Sequence, residues 1–109
     1  MNLSGWSMAY LVVMFDLPTT SKTDKRNYVD FRRFLLNDGF RLMQWSVYSR
    51  HCRSRDHLEV HQTRVRQNVP PAGEVRMLHM TETQFGRMEI FRKRGRGHDE
   101  LDPAQLVFL

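Results

Sequence analysis

Six apolar residues, Tyr10-Leu11-Val12-Val13-Met14-Phe15, run straight into a carboxylate, Asp16, and Leu17-Pro18 follows. A continuous apolar run of this length predicts a strand over Tyr10 to Asp16, buried on both faces as a central strand is. Pro18 lacks an N–H and ends the ladder. The spacing then turns helical: Tyr28, Phe31, Phe34, Leu35 and Leu36 form an apolar stripe. Ser21-Lys22-Thr23-Asp24 has the form of a capping box, with Asp where Glu is usual. Asn37-Asp38-Gly39 stops this first helix, and Gly39 suits the left-handed position after a helix end. A second strand is predicted over Phe40 to Tyr48, partly polar through Gln44 and Ser46, with Arg50-His51-Cys52-Arg53 leading out. Ser54 is a cap for a second helix ending near Asn68, with Leu58, His61 or Gln62, Val65 and Val69 as its inner seam. Pro70-Pro71-Ala72-Gly73 breaks it. A third strand is expected over Glu74 to Met80, a capped turn over Thr81 to Gln84, and a fourth strand over Met88 to Arg92.

Two element orders satisfy this pattern. A turn inside Phe40 to Arg53 gives β-α-β-β-α-β, the split βαβ or ferredoxin-like arrangement; without it the order is β-α-β-α-β-β. The expected fold class is α+β, a ferredoxin-like βαββαβ sandwich with an extra C-terminal strand. One domain is expected over residues 8–92, after a disordered leader at 1–7, with Met8 an alternative start. A basic and polar linker covers 93–104, and Gln105-Leu106-Val107-Phe108-Leu109 returns as a short apolar strand. A terminal strand after a linker must find a sheet edge, its own or a partner's.

With 109 residues the chain buries about two-thirds of its unfolded surface, so the core is small and a homodimer is a natural supplement. The net charge is +5, and of 17 basic residues only Lys22, Lys25 and Lys93 are lysine. Arg forks grip phosphate oxygens bidentately and stack on bases, which points to nucleic acid. The expected contacts are Lys22, Lys25, Arg26, Arg32 and Arg33 on the first helix and Lys93, Arg94 and Arg96 in a flexible arm. The single cysteine, Cys52, excludes a disulfide framework and a thiolate metal cluster and fits a reducing cytoplasm. Met1 to Ser7 lacks the charged and apolar regions of a signal peptide. No apolar run approaches the roughly 18 residues of a membrane span, so no membrane partner is expected.

The remaining motifs are weighed against bland readings. His57 and His61 share a helix face, but a zincin needs Glu directly after the first His, and here Glu59 is third. A solvated face with one His near the core is the better reading. His79 alternates with Val75 and Met77, so an inward packing role is expected. His51 and His98 fall in expected polar loops. Gly95-Arg96-Gly97 is followed by no capped helix and is no phosphate loop. The third strand has no aromatic residue, which disfavours base stacking and favours contact with backbone phosphates. Asp16 keeps two readings: a turn cap with Thr19 and Thr20, or a ligand to Mg²⁺, which often takes only one or two carboxylates. A two-fold dimer that joined two Asp16 side chains would double the supply.

A first strand ending in Phe15-Asp16, a basic helix with Lys25-Arg26 ending at Gly39-Phe40, and then Gln44-Trp45-Ser46-Val47-Tyr48 together resemble the second CRISPR-associated protein, the small subunit of the spacer-acquisition complex. Gly73-Glu74-Val75 and the Thr81 to Gln84 turn match the same pattern, and the likeness spans Met8 to Phe91. Leu17 to Thr20 and Met88 to Lys93 look most like members from systems with one large RNA-guided effector. The resemblance implies a ferredoxin-like homodimer whose terminal strand, Gln105 to Leu109, packs near the partner's sheet. It implies that Asp16 holds Mg²⁺ or another divalent cation near the dimer axis as the catalytic carboxylate of an endonuclease on RNA or DNA. It also implies a bridging role between dimers of the CRISPR integrase subunit, with double-stranded DNA as ligand and single-stranded RNA as a further substrate. Ser46 is expected near the site. A plain dimeric ferredoxin-like interaction module without nucleic-acid function is the alternative, and failure to bind nucleic acid at low salt distinguishes it.

Overall fold

The computed structural model describes residues 9–93. Its elements run β1 (Ala9–Asp16), α1 (Lys22–Asn37), β2 (Arg41–Gln44), β3 (Val47–Cys52), α2 (Arg55–Asn68), β4 (Glu74–Thr81) and α3 (Glu82–Gly86). The four strands form one antiparallel sheet in the order β2-β3-β1-β4, with β1 inside it. This is the β-α-β-β-α-β order of the ferredoxin-like class.

β1 organises the packing through its two-residue period. Ala9, Leu11, Val13 and Phe15 share one face and are buried in a single cluster with Tyr28, Phe31 and Leu35 of α1 and Leu58 and Val65 of α2. Phe15 is its aromatic hub: its ring meets Tyr28 and Phe31 edge-on, 5.8 and 5.2 Å between centroids, and stacks on Tyr48 at 5.7 Å. Each such side chain contributes about 1.5–3 kcal/mol when fully buried. Tyr10, Val12, Met14 and Asp16 take the other face. There only Val12 is buried, while Tyr10 and Met14 are half-buried and Asp16 is exposed. Burial on both faces, expected from the continuous apolar run, therefore holds in part: the second face is open.

The caps follow the sequence. The Asp24 N–H donates to Ser21 Oγ (3.0 Å), and the Ser21 N–H donates back to Asp24 Oδ2 (3.4 Å). At the other end the Phe40 N–H donates to the Leu35 carbonyl (2.9 Å), and Gly39 turns with φ +89. Ser54 caps α2 by accepting from the His57 N–H (3.1 Å). The capped turn at Thr81 opens α3, whose Phe85 stacks on Tyr10 at 3.7 Å and covers one end of the open face.

Four expectations change. The predicted strand Phe40 to Tyr48 is a hairpin, turning at Trp45-Ser46 with Ser46 at φ +61. β3 extends through His51 and Cys52, so His51 lies in a strand and meets Glu82 at 3.0 Å. Met88 to Arg92 is not a strand: the chain leaves β4 through α3, and Ile90 and Phe91 are exposed there. His79 and Val69 are exposed rather than inward: β4 is an edge strand, and Val69 lies past the end of α2. His61, not Gln62, is the inner residue of α2. The leader, the rest of the linker after Lys93, and Gln105 to Leu109 lie outside the described residues. Among the described residues no helix is long and apolar enough to cross a membrane.

Gly73 (φ +92) opens β4 where a Cβ would stand 2.7 Å from the Asp16 carbonyl oxygen and 2.8 Å from Leu17 Cδ2. Gly73→Ala is expected to destabilise the fold by about 1–3 kcal/mol, from the left-handed backbone and this clash. A urea unfolding midpoint equal to that of the parent chain would refute it.

Candidate functional site

Strand alternation delivers Asp16 to the open sheet face. Phe15 turns into the core, so the next side chain must turn out. The backbone there is fixed on both sides. The Phe15 N–H donates to the Ser46 carbonyl (3.1 Å), and Asp16 is in register with Glu74 of β4. Ser46 thus does approach the site, from the β2–β3 turn rather than from a strand face. The Thr20 hydroxyl donates to Asp24 Oδ2 (3.2 Å) and completes the α1 cap, which engages it away from an Asp16 turn.

Glu74 is the site residue that sequence reading passed over. Directly opposed side chains in an antiparallel pair have Cβ atoms about 4.5–5.5 Å apart, and like charges so placed repel. Arg76, two residues on and on the same face, answers this. Its Nε–H donates to Glu74 Oε1 (3.0 Å) and its Nη2 to Oε2 (3.4 Å). That hydrogen bond, with the guanidinium charge, holds the Glu74 carboxyl below its usual range and raises Arg76. The detectable signal was topological: once β1 and β4 are antiparallel neighbours, the start of β4 must face the end of β1.

The donors here are oxygens: two opposed carboxylates beside a backbone turn. That suits Mg²⁺ or Mn²⁺, which take one or two carboxylates and complete the shell with water and phosphate. Among the described residues no group of three or more His, Cys, Asp or Glu gathers as a metal site.

The cations do not all share one surface. Lys22, Arg26 and Arg33 fall on the outward stripe of α1, opposite Tyr28, Phe31 and Leu35, and are exposed. Arg33 is within 3.6 Å of Asp30. Lys25 and Arg32 sit half-buried on the flank. Lys93 is exposed, and Arg94 and Arg96 lie outside the described residues. The helical cations and Asp16 therefore occupy opposite sides of the sheet.

The histidine pair of α2 belongs to a closed polar network. Asp38 Oδ2 is 2.6 Å from His61 Nδ1, so that nitrogen carries the proton and donates. The Arg50 Nε–H donates to His61 Nε2 (3.0 Å). The Arg53 backbone N–H donates to His57 Nδ1 (3.2 Å), which leaves the His57 proton on Nε2, 3.1 Å from His61 Nε2. Arg64 completes the set on Asp38 Oδ1 (2.9 Å). Arg50 Nη2 also lies 3.4 Å from His57 Nε2, so every ring nitrogen of the pair has a partner within this network. His57 is held below the usual histidine range by burial first, then by His61, Arg50, Arg53 and His51. Burial raises the nearby Cys52 thiol, which is buried and free.

Residues 8–88 match the family model described as CRISPR associated protein Cas2. The chain is 45% identical over 97 residues to the CRISPR-associated endoribonuclease Cas2 of Parvibaculum lavamentivorans, covering 89% of this chain and 96% of that protein. It is 48% identical over 80 residues to the protein of the same name from Acidovorax ebreus, covering 73% and 78%. The fold is similar to a solved structure described as the crystal structure of cas2, with a TM-score of 0.56, 17% identity and coverage of 83% and 94%.

Because folding lowers the affinity of His57 for a proton, its contribution to stability is complete above the unfolded value of 6.5 and is lost as pH falls below it. Urea unfolding from pH 7.5 down to 5.5 is expected to show falling stability, and His57→Gln to flatten that slope. An unchanged slope in the variant would assign the effect to other groups.

Proposed function

The chain belongs to the Cas2 family of CRISPR-associated proteins, and from that premise we propose that it is a homodimeric subunit of spacer acquisition. In this reading it bridges dimers of the integrase subunit, holds double-stranded DNA, and has divalent-cation-dependent endonuclease activity on RNA or DNA at Asp16. The observation that carries the reading is Asp16 itself: an exposed carboxylate at the end of an inner strand, opposite Glu74, on a sheet face that α1 and α2 do not cover. The endoribonuclease names of the similar proteins agree with it.

The dimer reading draws on the same face. Leu78 is 51% exposed beside half-buried Met14, Met80 and Val47, and Met88, Ile90 and Phe91 are exposed apolar residues further along the chain. Apolar surface of this kind favours association. β4 is also an edge strand with ladder groups to offer, and Gln105 to Leu109 of a second copy is the proposed complement.

For cleavage, Asp16 and Glu74 would hold the cation, while Lys22, Arg26 and Arg33, on the opposite side of the sheet, would bind duplex phosphates by charge. Bound Mg²⁺ supplies Lewis-acid neutralisation of the phosphate and an acidified water for in-line attack. Asp16 orients that chemistry from a rigid support, since its backbone is fixed in the β1–β4 register and its neighbour Phe15 is packed in the core. One carboxylate pair per chain, with the histidines of the α2 network on the other side of the sheet, leads to an expectation of slow turnover.

Asp16→Ala is expected to abolish Mg²⁺-dependent cleavage while leaving duplex binding and the melting temperature nearly unchanged. Equal residual cleavage in the variant would remove Asp16 from the reaction. In a separate test, replacing Lys22, Arg26 and Arg33 together by Ala is expected to lower the slope of log K against log salt by about 2–3 for duplex DNA. A slope identical to the parent's would place the binding surface elsewhere.

A further inference from the structure

Glu74 and Arg76 have a role in the Asp16 site beyond adding charge. Both oxygens of Glu74 are engaged by one guanidinium, at 3.0 and 3.4 Å, and both side chains are well exposed, 62% and 71%. Glu74 is also the residue across the ladder from Asp16. A cation shared by the two carboxylates would meet Glu74 oxygens already engaged by a guanidinium, and its charge would stand beside that of Arg76. We propose that Arg76 competes with the divalent cation for Glu74 and so sets the concentration at which the Asp16 site loads. This rests on the reading of Asp16 as a cation ligand.

The energetic balance permits exchange in both directions. An exposed ion pair is worth little, so the Arg76–Glu74 pair opens without large cost. Without a cation, two facing carboxylates repel, and Arg76 relieves the strain by neutralising one of them. With a cation, the two carboxylates are drawn together and the guanidinium is the displaced charge. Arg76 is in register with Met14, an apolar neighbour that offers it no alternative anion across the ladder. Glu74 is therefore the carboxylate that Arg76 must yield.

The two residues then act on cation affinity with opposite signs, which a merely structural pair would not do. The test measures Mn²⁺ binding to the full chain at fixed ionic strength, following the electron paramagnetic resonance of free Mn²⁺, with circular dichroism to check folding. Arg76→Gln is expected to tighten Mn²⁺ by about two- to fivefold, the scale of an exposed ion pair. Glu74→Gln is expected to weaken it by about tenfold. In the Glu74→Gln background, Arg76→Gln is expected to lose most of its effect. If Arg76→Gln leaves affinity unchanged or weakens it while Asp16→Asn still weakens binding, the competition is wrong and the Asp16 reading stands. If Asp16→Asn binds Mn²⁺ as the parent does, the Asp16 reading fails and the competition fails with it.

Discussion

The structure depends on the alternation of β1. Phe15 must face the helices, because Tyr28, Phe31 and Tyr48 surround its ring and complete the small core. With Phe15 committed inward, Asp16 has no choice of direction. A one-residue slip would bury the carboxylate among aromatic rings and expose the phenyl group, and both changes are unfavourable. Core packing and the direction of the Asp16 carboxylate are thus one constraint. The register with β4 then brings Glu74 opposite Asp16, and Gly73 allows the chain to enter that register against the Asp16 carbonyl.

A second constraint joins the helices to the sheet. The C-terminal cap of α1 is Asp38, and its buried carboxylate is divided between His61 and Arg64 of α2. His61 in turn accepts from Arg50 of β3. A buried charge is tolerated when it is paired and its hydrogen bonds are satisfied, and here charge and lone pairs are matched across three elements. Gly39 belongs to the same arrangement, since a Cβ there would press on the Arg50 guanidinium at 3.1 Å. The network lies on the helix side of the sheet, away from Asp16, so its part is to align α2 with the ends of α1 and β3.

Much of this was legible in the sequence, for local reasons. Ser21 and Asp24, Ser54, and Thr81 and Gln84 are caps whose chemistry acts over three residues, and each forms the predicted bonds. Gly39 marked a helix end because only a left-handed residue fits there. The turn expected inside Phe40 to Arg53 could not be placed from sequence because it is Trp45-Ser46, without the Gly or Asn that usually signals φ above zero. Met88 to Arg92 has strand composition, but it pairs with no strand of the described sheet, a tertiary fact that composition cannot carry. Glu74 escaped notice for the same reason: its importance comes from a partner 58 positions away in sequence.

The proposed dimer changes how the carboxylates should be understood. A two-fold that joins the open faces near Asp16 would gather two Asp16 and two Glu74 side chains at one place. Without compensation such a group opposes association, because like charges in a partly desolvated interface cost more than on a free surface. Arg76 supplies compensation from within each chain, already held on Glu74. A divalent cation supplies it from outside. The same ion pair that we propose competes with the cation would therefore let two empty subunits meet, and cation binding would exchange one neutraliser for another without undoing the interface. Dimerisation and cation binding then need not be obligatory partners, and a subunit of this design can serve as a scaffold whether or not its carboxylates hold a metal.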